Sequence, residues 1–289
     1  DASSGYARII RLFENSPADD AELQVGGFIT AINGVSTRQM NETSAINSAL
    51  LGEEGTTTTI TYLTPDRQEQ TLDLVHSNYK TPTVSYQILN EKVGYLRVYS
   101  FSSTTGSEFK SAVDALMDSN VQTMVFDLRD NTGENLNAAL VAADYCLPSG
   151  LNASQQGKDG TVTDLRMSDE TALSVPAVCL VNGSTAGSAE LFANALRKMG
   201  DALLVGTTTT GNGVVMSDPQ SFSDGSAAVI TVGILRDNEG ETWDDFGLTP
   251  DVDATLTSDE QNSYYDFTTD TDPQIAKAVA AAQMLAGLA

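Results

Sequence analysis

One histidine, two cysteines and one tryptophan occur among 289 residues, and that scarcity closes off several chemistries. Zinc centres draw on clusters of His and Cys. A lone His76 with the widely spaced Cys146 and Cys179 supplies none, so neither metal nor cofactor is expected. His76 ends the alternating stretch Thr71 to His76, away from any Ser-and-Asp motif, which argues against a Ser-His-Asp triad. Both cysteines sit in apolar surroundings and read as buried thiols, not as a disulfide. Basic residues are also few: 15 Lys plus Arg stand against 39 Asp plus Glu, a net charge of −24. Phosphate contacts need clustered Lys and Arg, so nucleic acid and anionic membranes are disfavoured as partners. Solubility is the plain reading of the acidity. No apolar run approaches the ~20 residues of a membrane span, and there is no signal-peptide pattern. The chain opens directly on Asp1-Ala2-Ser3-Ser4-Gly5, which reads as the start of a trimmed piece.

What is present is a folded chain of two domains, with 40% hydrophobic residues and 23 glycines punctuating it. Residues 6–13 suggest a strand, followed by a Ser16-Pro17 turn, a short helix to Leu23 and a second strand, Phe28 to Ile32. Asn33-Gly34 is a strong turn dipeptide, residues 43–51 look helical, and Thr56–Leu63 with Gln70–Val75 reads as a hairpin. After Asn78 to Pro82 the pattern changes to strand (Val93 to Val98), helix (Thr105 to Met117), buried strand (Val121 to Leu128) and helix to Cys146. Such alternation implies α/β layers with some parallel pairing. Val178 to Val181 suits another buried strand, and Leu191, Phe192, Ala195, Leu196 and Met199 share one helical face that Gly200 closes. A strand is expected at Ala227 to Val232, and residues 253–272 look like acidic loop. A final helix begins after Asp272-Pro273, with Ile275, Val279, Ala282 and Leu285 on one stripe. Trp243 reads as a packing anchor.

The turn between Val181 and Leu191 carries the chemistry. A strand-turn-helix places free N–H groups and the positive end of the helix dipole at the turn, where developing negative charge is stabilised. A nucleophile there also needs a base. By itself, Asn182-Gly183-Ser184-Thr185-Ala186-Gly187-Ser188 also fits an ordinary small-residue turn.

Further matches change that reading. Residues 176–196 and Val205 to Gly213 resemble the active-site signatures of the C-terminal processing (tail-specific) serine peptidases. Asp127-Leu128-Arg129-Asp130-Asn131-Thr132-Gly133-Glu134 resembles the family's oxyanion loop, with Glu134 in place of a second Gly. Phe246-Gly247-Leu248-Thr249-Pro250-Asp251-Val252 resembles its Gly-x-x-Pro-Asp-Val segment. Asn15-Ser16-Pro17-Ala18, Leu23, Gly26, Ile29 and Asn33-Gly34 resemble the PDZ domain such peptidases carry, with Glu22 where Gly and Gly27 where Asp is usual. The resemblance spans roughly residues 6–252. It implies an α/β (α+β) chain: a PDZ-like module at 1–79, N-terminally incomplete, and a ClpP/crotonase-like peptidase core with C-terminal helix at 80–289. It also implies a place outside the cell or in the cell envelope.

The same resemblance locates the catalytic groups, and they are missing. Gly187 stands where the family has its Ser nucleophile. Asn212, 25 residues on, stands where it has its Lys base, and Met216 where a Gln orients that Lys. Gly187 has nothing to attack with, and an amide takes no proton near neutral pH. The expectation is a non-catalytic homologue that binds a polypeptide segment or protein C-terminus, with Gly133, Glu134, Gly183 and Ser184 as candidate binding positions. The rival reading is an active peptidase using Ser188 in a shifted register. Its nearest downstream lysine is Lys198, ~15 Å along the same helix by helical rise.

Overall fold

The computed structural model describes residues 4–40, 42–90, 92–170 and 172–288; the opening Asp1-Ala2-Ser3 lies outside them. The chain divides into one unit of Asp1–Pro82 with Asn262–Phe267 and another of Thr83–Gln261 with Thr268–Ala289.

In the first unit, β1 (Ala7–Arg8), α1 (Pro17–Asp20), β2 (Phe28–Ile32), β3 (Val35–Ser36), α2 (Thr43–Leu50), β4 (Thr57–Leu63) and β5 (Glu69–Val75) follow in order. The sheet runs β1-β2-β4-β5, with β3 paired to β2 and all pairs antiparallel. The strand expected over 6–13 shrinks to two residues. The ladder ends at Arg8 opposite Phe28, where β2 begins; one more exchange, Ile9 N–H to Gly27 O, closes it. The α1 helix starts on Ser16 Oγ, which accepts from Asp19 N–H, with Pro17 in its first turn. It stops short because Glu22 takes a left-handed φ of 56°. Ile9, Leu23, Ile29, Ile32, Ile60 and Tyr62 form the core.

The second unit begins with β6 (Val84–Leu89), β7 (Val93–Val98), α3 (Thr105–Asp118), β8 (Thr123–Asp127) and α4 (Leu136–Asp144). Next come β9 (Gly150–Gly157), β10 (Val162–Ser168), β11 (Ala177–Val181), α5 (Ser188–Met199) and β12 (Leu203–Gly206). It ends with β13 (Val214–Met216), β14 (Gln220–Ser221), β15 (Ala227–Ala228), β16 (Thr231–Arg236), β17 (Val252–Asp253), α6 (Ser258–Asn262) and α7 (Pro273–Leu285). The main sheet is ordered β17-β12-β11-β8-β7-β6, parallel throughout except for β6 at its edge.

Its strands are apolar on both faces, as a sheet covered twice requires. Leu96, Phe126, Cys179 and Val181 face α3, α4 and α5. Val93, Tyr95, Val125, Val178 and Leu180 face Ile275, Ala278, Val279 and Ala282 of α7. Phe192 fixes α5 edge-on against Phe109 and Phe126, with ring centres 5.5 and 5.6 Å away. Both cysteines are buried and unpaired, and Trp243 is buried in the core.

A second, antiparallel sheet runs β10-β9-β16-β13. The strand expected at 227–232 is instead two pieces, β15 and β16. The β13–β16 ladder shifts register between Val215 and Met216 and ends at Met216 opposite Thr231; Gln220 and Ser221 then pair with Ala228 and Ala227 as a separate two-stranded sheet. The loop expected over 253–272 holds α6 and a 3-10 turn at Tyr264–Asp266. A capping box starts α6: Thr257 N–H donates to Glu260 Oε2 at 2.8 Å, and Glu260 N–H returns a bond to Thr257 Oγ1 at 3.3 Å. Acidic composition hid that signal.

Candidate functional site

Parallel neighbours β8, β11 and β12 bring the loops at their C-terminal ends to one edge of the sheet, so three distant sequence segments meet. The loop after β8 and the turn after β11 are stitched together. Thr185 Oγ1 donates to Leu128 O and Ala186 N–H to Asn131 O, both at 2.9 Å. Asn182 Oδ1 accepts from Asp130 N–H and from Ser184 N–H, each at 3.1 Å. From the loop after β12, Thr210 Oγ1 donates to Gly183 O at 2.9 Å.

Gly187 is the N-cap of α5, with φ 55° and ψ −121°. A non-glycine residue holds such a backbone only under strain. A Cβ there would also stand 2.9 Å from Gly133 O and 3.2 Å from Thr132 O. Gly133 fits as tightly from the other side: its own Cβ would lie 2.2 Å from Ala186 O and 2.4 Å from Ser188 N. Ser188 N–H, which opens α5, points to Gly133 O at 3.4 Å. The loop carbonyl therefore occupies the space in front of the N–H that opens α5.

The residue that joins the segments is Glu190, which the sequence reading missed. Its side chain is fully buried. Oε2 accepts from Gly187 N–H at 3.0 Å and Asn212 N–H at 2.8 Å; Oε1 accepts from Gly211 N–H at 2.8 Å and from the Thr209 hydroxyl. Gly187 and Asn212 thus hang on the same carboxylate oxygen. A sequence signal existed: a Glu three residues after the N-cap is the second half of a capping box. No pattern, however, shows that the same carboxylate reaches residues 209 to 212.

Glu134, Gly183, Ser184 and the Asn212 side chain lie at the surface, and Gly133 is half-buried. Met216 is half-exposed on β13, where its sulfur accepts a weak bond from Thr231 Oγ1 at 3.5 Å. Ser188 is buried, and among the described residues no lysine or carboxylate is hydrogen-bonded to its hydroxyl. Lys198 is hydrogen-bonded to Glu239 and lies 3.7 Å from Asp237. Those acceptors hold its ammonium above the ordinary lysine range, so it stays protonated.

Behind the loop lies a buried ionic group. Arg129 forks onto both oxygens of Asp127 at 3.0 and 2.7 Å, and reaches Asp272 Oδ2 at 2.8 Å. Tyr95 donates to Asp127 Oδ2 at 2.6 Å. Burial would raise the Asp127 carboxyl, but Arg129 and Arg97 outweigh it and hold it well below the usual carboxylate range.

A profile of the family described as peptidase family S41 matches residues 92–254, and one of the PDZ domain matches residues 12–63. The carboxy-terminal processing protease CtpA of Bacillus subtilis is 28% identical over 263 residues, 91% of this chain and 56% of its own length. The chloroplastic carboxyl-terminal-processing peptidase 3 of Arabidopsis thaliana is 29% identical over 267 residues, 87% of this chain and 51% of its own. The chain spans about half the length of these curated relatives. Among solved structures, a putative S41 protease from Bacteroides fragilis aligns with a TM-score of 0.68 at 21% identity, covering 98% of this chain and 79% of that one. The photosystem II D1 C-terminal processing protease aligns with a TM-score of 0.58 at 23% identity, covering 93% and 74%. At these identities the structural likeness is one of fold.

Proposed function

The chain belongs to peptidase family S41 and carries a PDZ domain, and from that premise we propose that it is a non-catalytic member which binds a polypeptide segment. The observation that carries this reading is the pair Gly187 and Asn212. They hang on one oxygen of Glu190, in the frame where the family resemblance places a Ser nucleophile and a Lys base, and neither side chain can do that work. Loss of either group alone costs a peptidase orders of magnitude in rate. The Gly133 carbonyl in front of Ser188 N–H further supports it, as does Lys198, which is committed to Glu239.

A polypeptide, and in particular a protein C-terminus, is the ligand class in keeping with the PDZ domain. The second sheet ends in β13, directly after Asn212, and β13 pairs only with β16 among the described residues. An extended segment can add to such an edge through its main chain. Gly133, Glu134, Gly183 and Ser184 are the proposed contact positions, residues 1–79 and 80–289 the proposed domains, and the cell envelope or exterior the proposed location. The test is fluorescence anisotropy with an unstructured labelled peptide ending in apolar residues, with the mixture then weighed by mass spectrometry. Saturable binding of a peptide that stays intact is expected. Absence of binding, or accumulation of fragments, would overturn the reading.

A further inference from the structure

At the edge of the main sheet away from the Gly187 turn lies a cavity of about 210 Å³. It sits where β11 and β12 begin: Ala177 is the first residue of β11, Ala202 comes just before β12, and both line it. The Gly187 turn follows the far end of β11, so the length of that strand and of α5 separates the two places. Leu173, Val175, Leu196 and Met199 make the wall apolar, and Pro148, Ala172 and Asp201 stand exposed around it. The Leu173 stretch is tied down by its N–H, which donates to Cys146 O at 3.0 Å. A dry cavity of about 150 Å³ already takes up benzene, and pockets for drug-sized ligands begin at about 300 Å³. The volume here suits a single ring or a short alkyl chain.

The polar groups at this cavity favour a cation. Helix α5 ends at Met199 with Gly200 as its cap, and Gly200 and Ala202 N–H both donate to Leu196 O, at 2.9 and 3.2 Å. Among the described residues the carbonyls of Arg197, Lys198 and Met199 therefore accept no N–H, and the helix end carries partial negative charge. Asp201 adds a full negative charge, and its carboxylate has no ion pair or hydrogen bond among the described residues. The basic side chains of the same helical turn are committed elsewhere, Arg197 to Asp251 and Lys198 to Glu239. Cys146 lines the cavity too, but burial, with Cys179 nearby, pushes its thiol far up, so it stays a neutral S–H and is no nucleophile.

We propose that this cavity binds a small organic ammonium, its apolar body against Leu173, Val175, Leu196 and Met199 and its charged end at Asp201 and the open carbonyls of α5. The site is separate from the Gly187 turn and stands whether or not that turn holds peptide.

The test is a titration of the full chain at pH 7, followed by NMR through carbon-labelled methionine methyl groups, with the Met199 signal assigned from Met199→Leu. The probes are benzylammonium, benzyl alcohol and benzoate, alike in size and different in charge. Benzylammonium is expected to move the Met199 signal saturably and to bind several-fold tighter than benzyl alcohol, with benzoate weakest. Asp201 has a left-handed φ of 52°, which Asn also tolerates, so Asp201→Asn keeps the backbone. It should weaken benzylammonium several-fold and leave benzyl alcohol unchanged. Asp66→Asn, which removes an exposed carboxylate from the first unit, should change neither. Ala172→Phe, a larger side chain at an exposed lining position, should abolish both. A Met199 signal that saturates with no probe, equal affinities for benzylammonium and benzoate, or a loss in Asp66→Asn as large as that in Asp201→Asn would each overturn the proposal.

Discussion

Replacing Glu190 tests the centre of the site most sharply. The carboxylate is completely buried and accepts from three backbone N–H groups and one hydroxyl. Glu190→Ala orphans all four donors, and each buried orphan costs about 1–3 kcal/mol. Gly211 is part-buried and Asn212 exposed, so water can reach them and the full sum is not expected; a loss of about 4 kcal/mol is. Glu190→Gln keeps shape and one acceptor oxygen. Its NH2 group must still face either Gly211 N–H or the Gly187 and Asn212 N–H groups, donor against donor, for a loss of about 2 kcal/mol. Urea unfolding at pH 7, followed through Trp243, reads both values, with midpoints falling in the order parent, Gln, Ala. A Gln variant within ~0.5 kcal/mol of the parent, a difference typical of neutral surface changes, would refute the four-donor arrangement.

Two further outcomes follow from the same geometry. Gly187→Ala forces a side chain into a positive-φ backbone and against Gly133 O, and should lower stability by about 2 kcal/mol or more. Gly183→Ala, whose Cβ meets only Thr208 O at 3.8 Å, should change it by less than ~0.5 kcal/mol; equal losses in denaturant melts would contradict the strain argument. Asp127 has its folded pKa depressed below its unfolded value of about 3.9, so its contribution is complete above that value and fades as pH falls toward the folded pKa. Asp127→Asn should therefore be less stable than the parent at pH 7, and the gap should narrow below about pH 4; curves of stability against pH that stay parallel would show that Asp127 is not held ionised by Arg129.

The doubly buried strands were legible because their apolar runs have no polar face: Val125 packs toward α7 while Phe126 packs toward α5. The strand-to-helix turn at 182–187 was legible from small residues between two apolar segments. The extent of β1 was not, because an apolar stretch becomes strand only as far as a partner runs, and β2 begins opposite Arg8. Nor was α6, where the Thr257–Glu260 cap was outweighed by acidic composition. The 25-residue spacing of Gly187 and Asn212 carries no distance; the parallel pairing of β11 with β12 supplies it. Glu190 was overlooked because three of its four partners, Thr209, Gly211 and Asn212, lie 19 to 22 residues away, and only the fold brings them to it.

The most direct measurement of the central claim is hydrolysis of an unstructured peptide with an apolar C-terminus by four proteins side by side. They are the parent, Ser188→Ala, the double variant Gly187→Ser with Asn212→Lys, and that double variant with Met216→Gln and Glu134→Gly added. The parent and Ser188→Ala should both leave the peptide intact. The double variant should show little or no cleavage, since a side chain introduced at Gly187 would meet Gly133 O. The fourfold variant should exceed it. Turnover by the parent that disappears in Ser188→Ala would contradict the account, because it would show a working nucleophile one residue from the empty position.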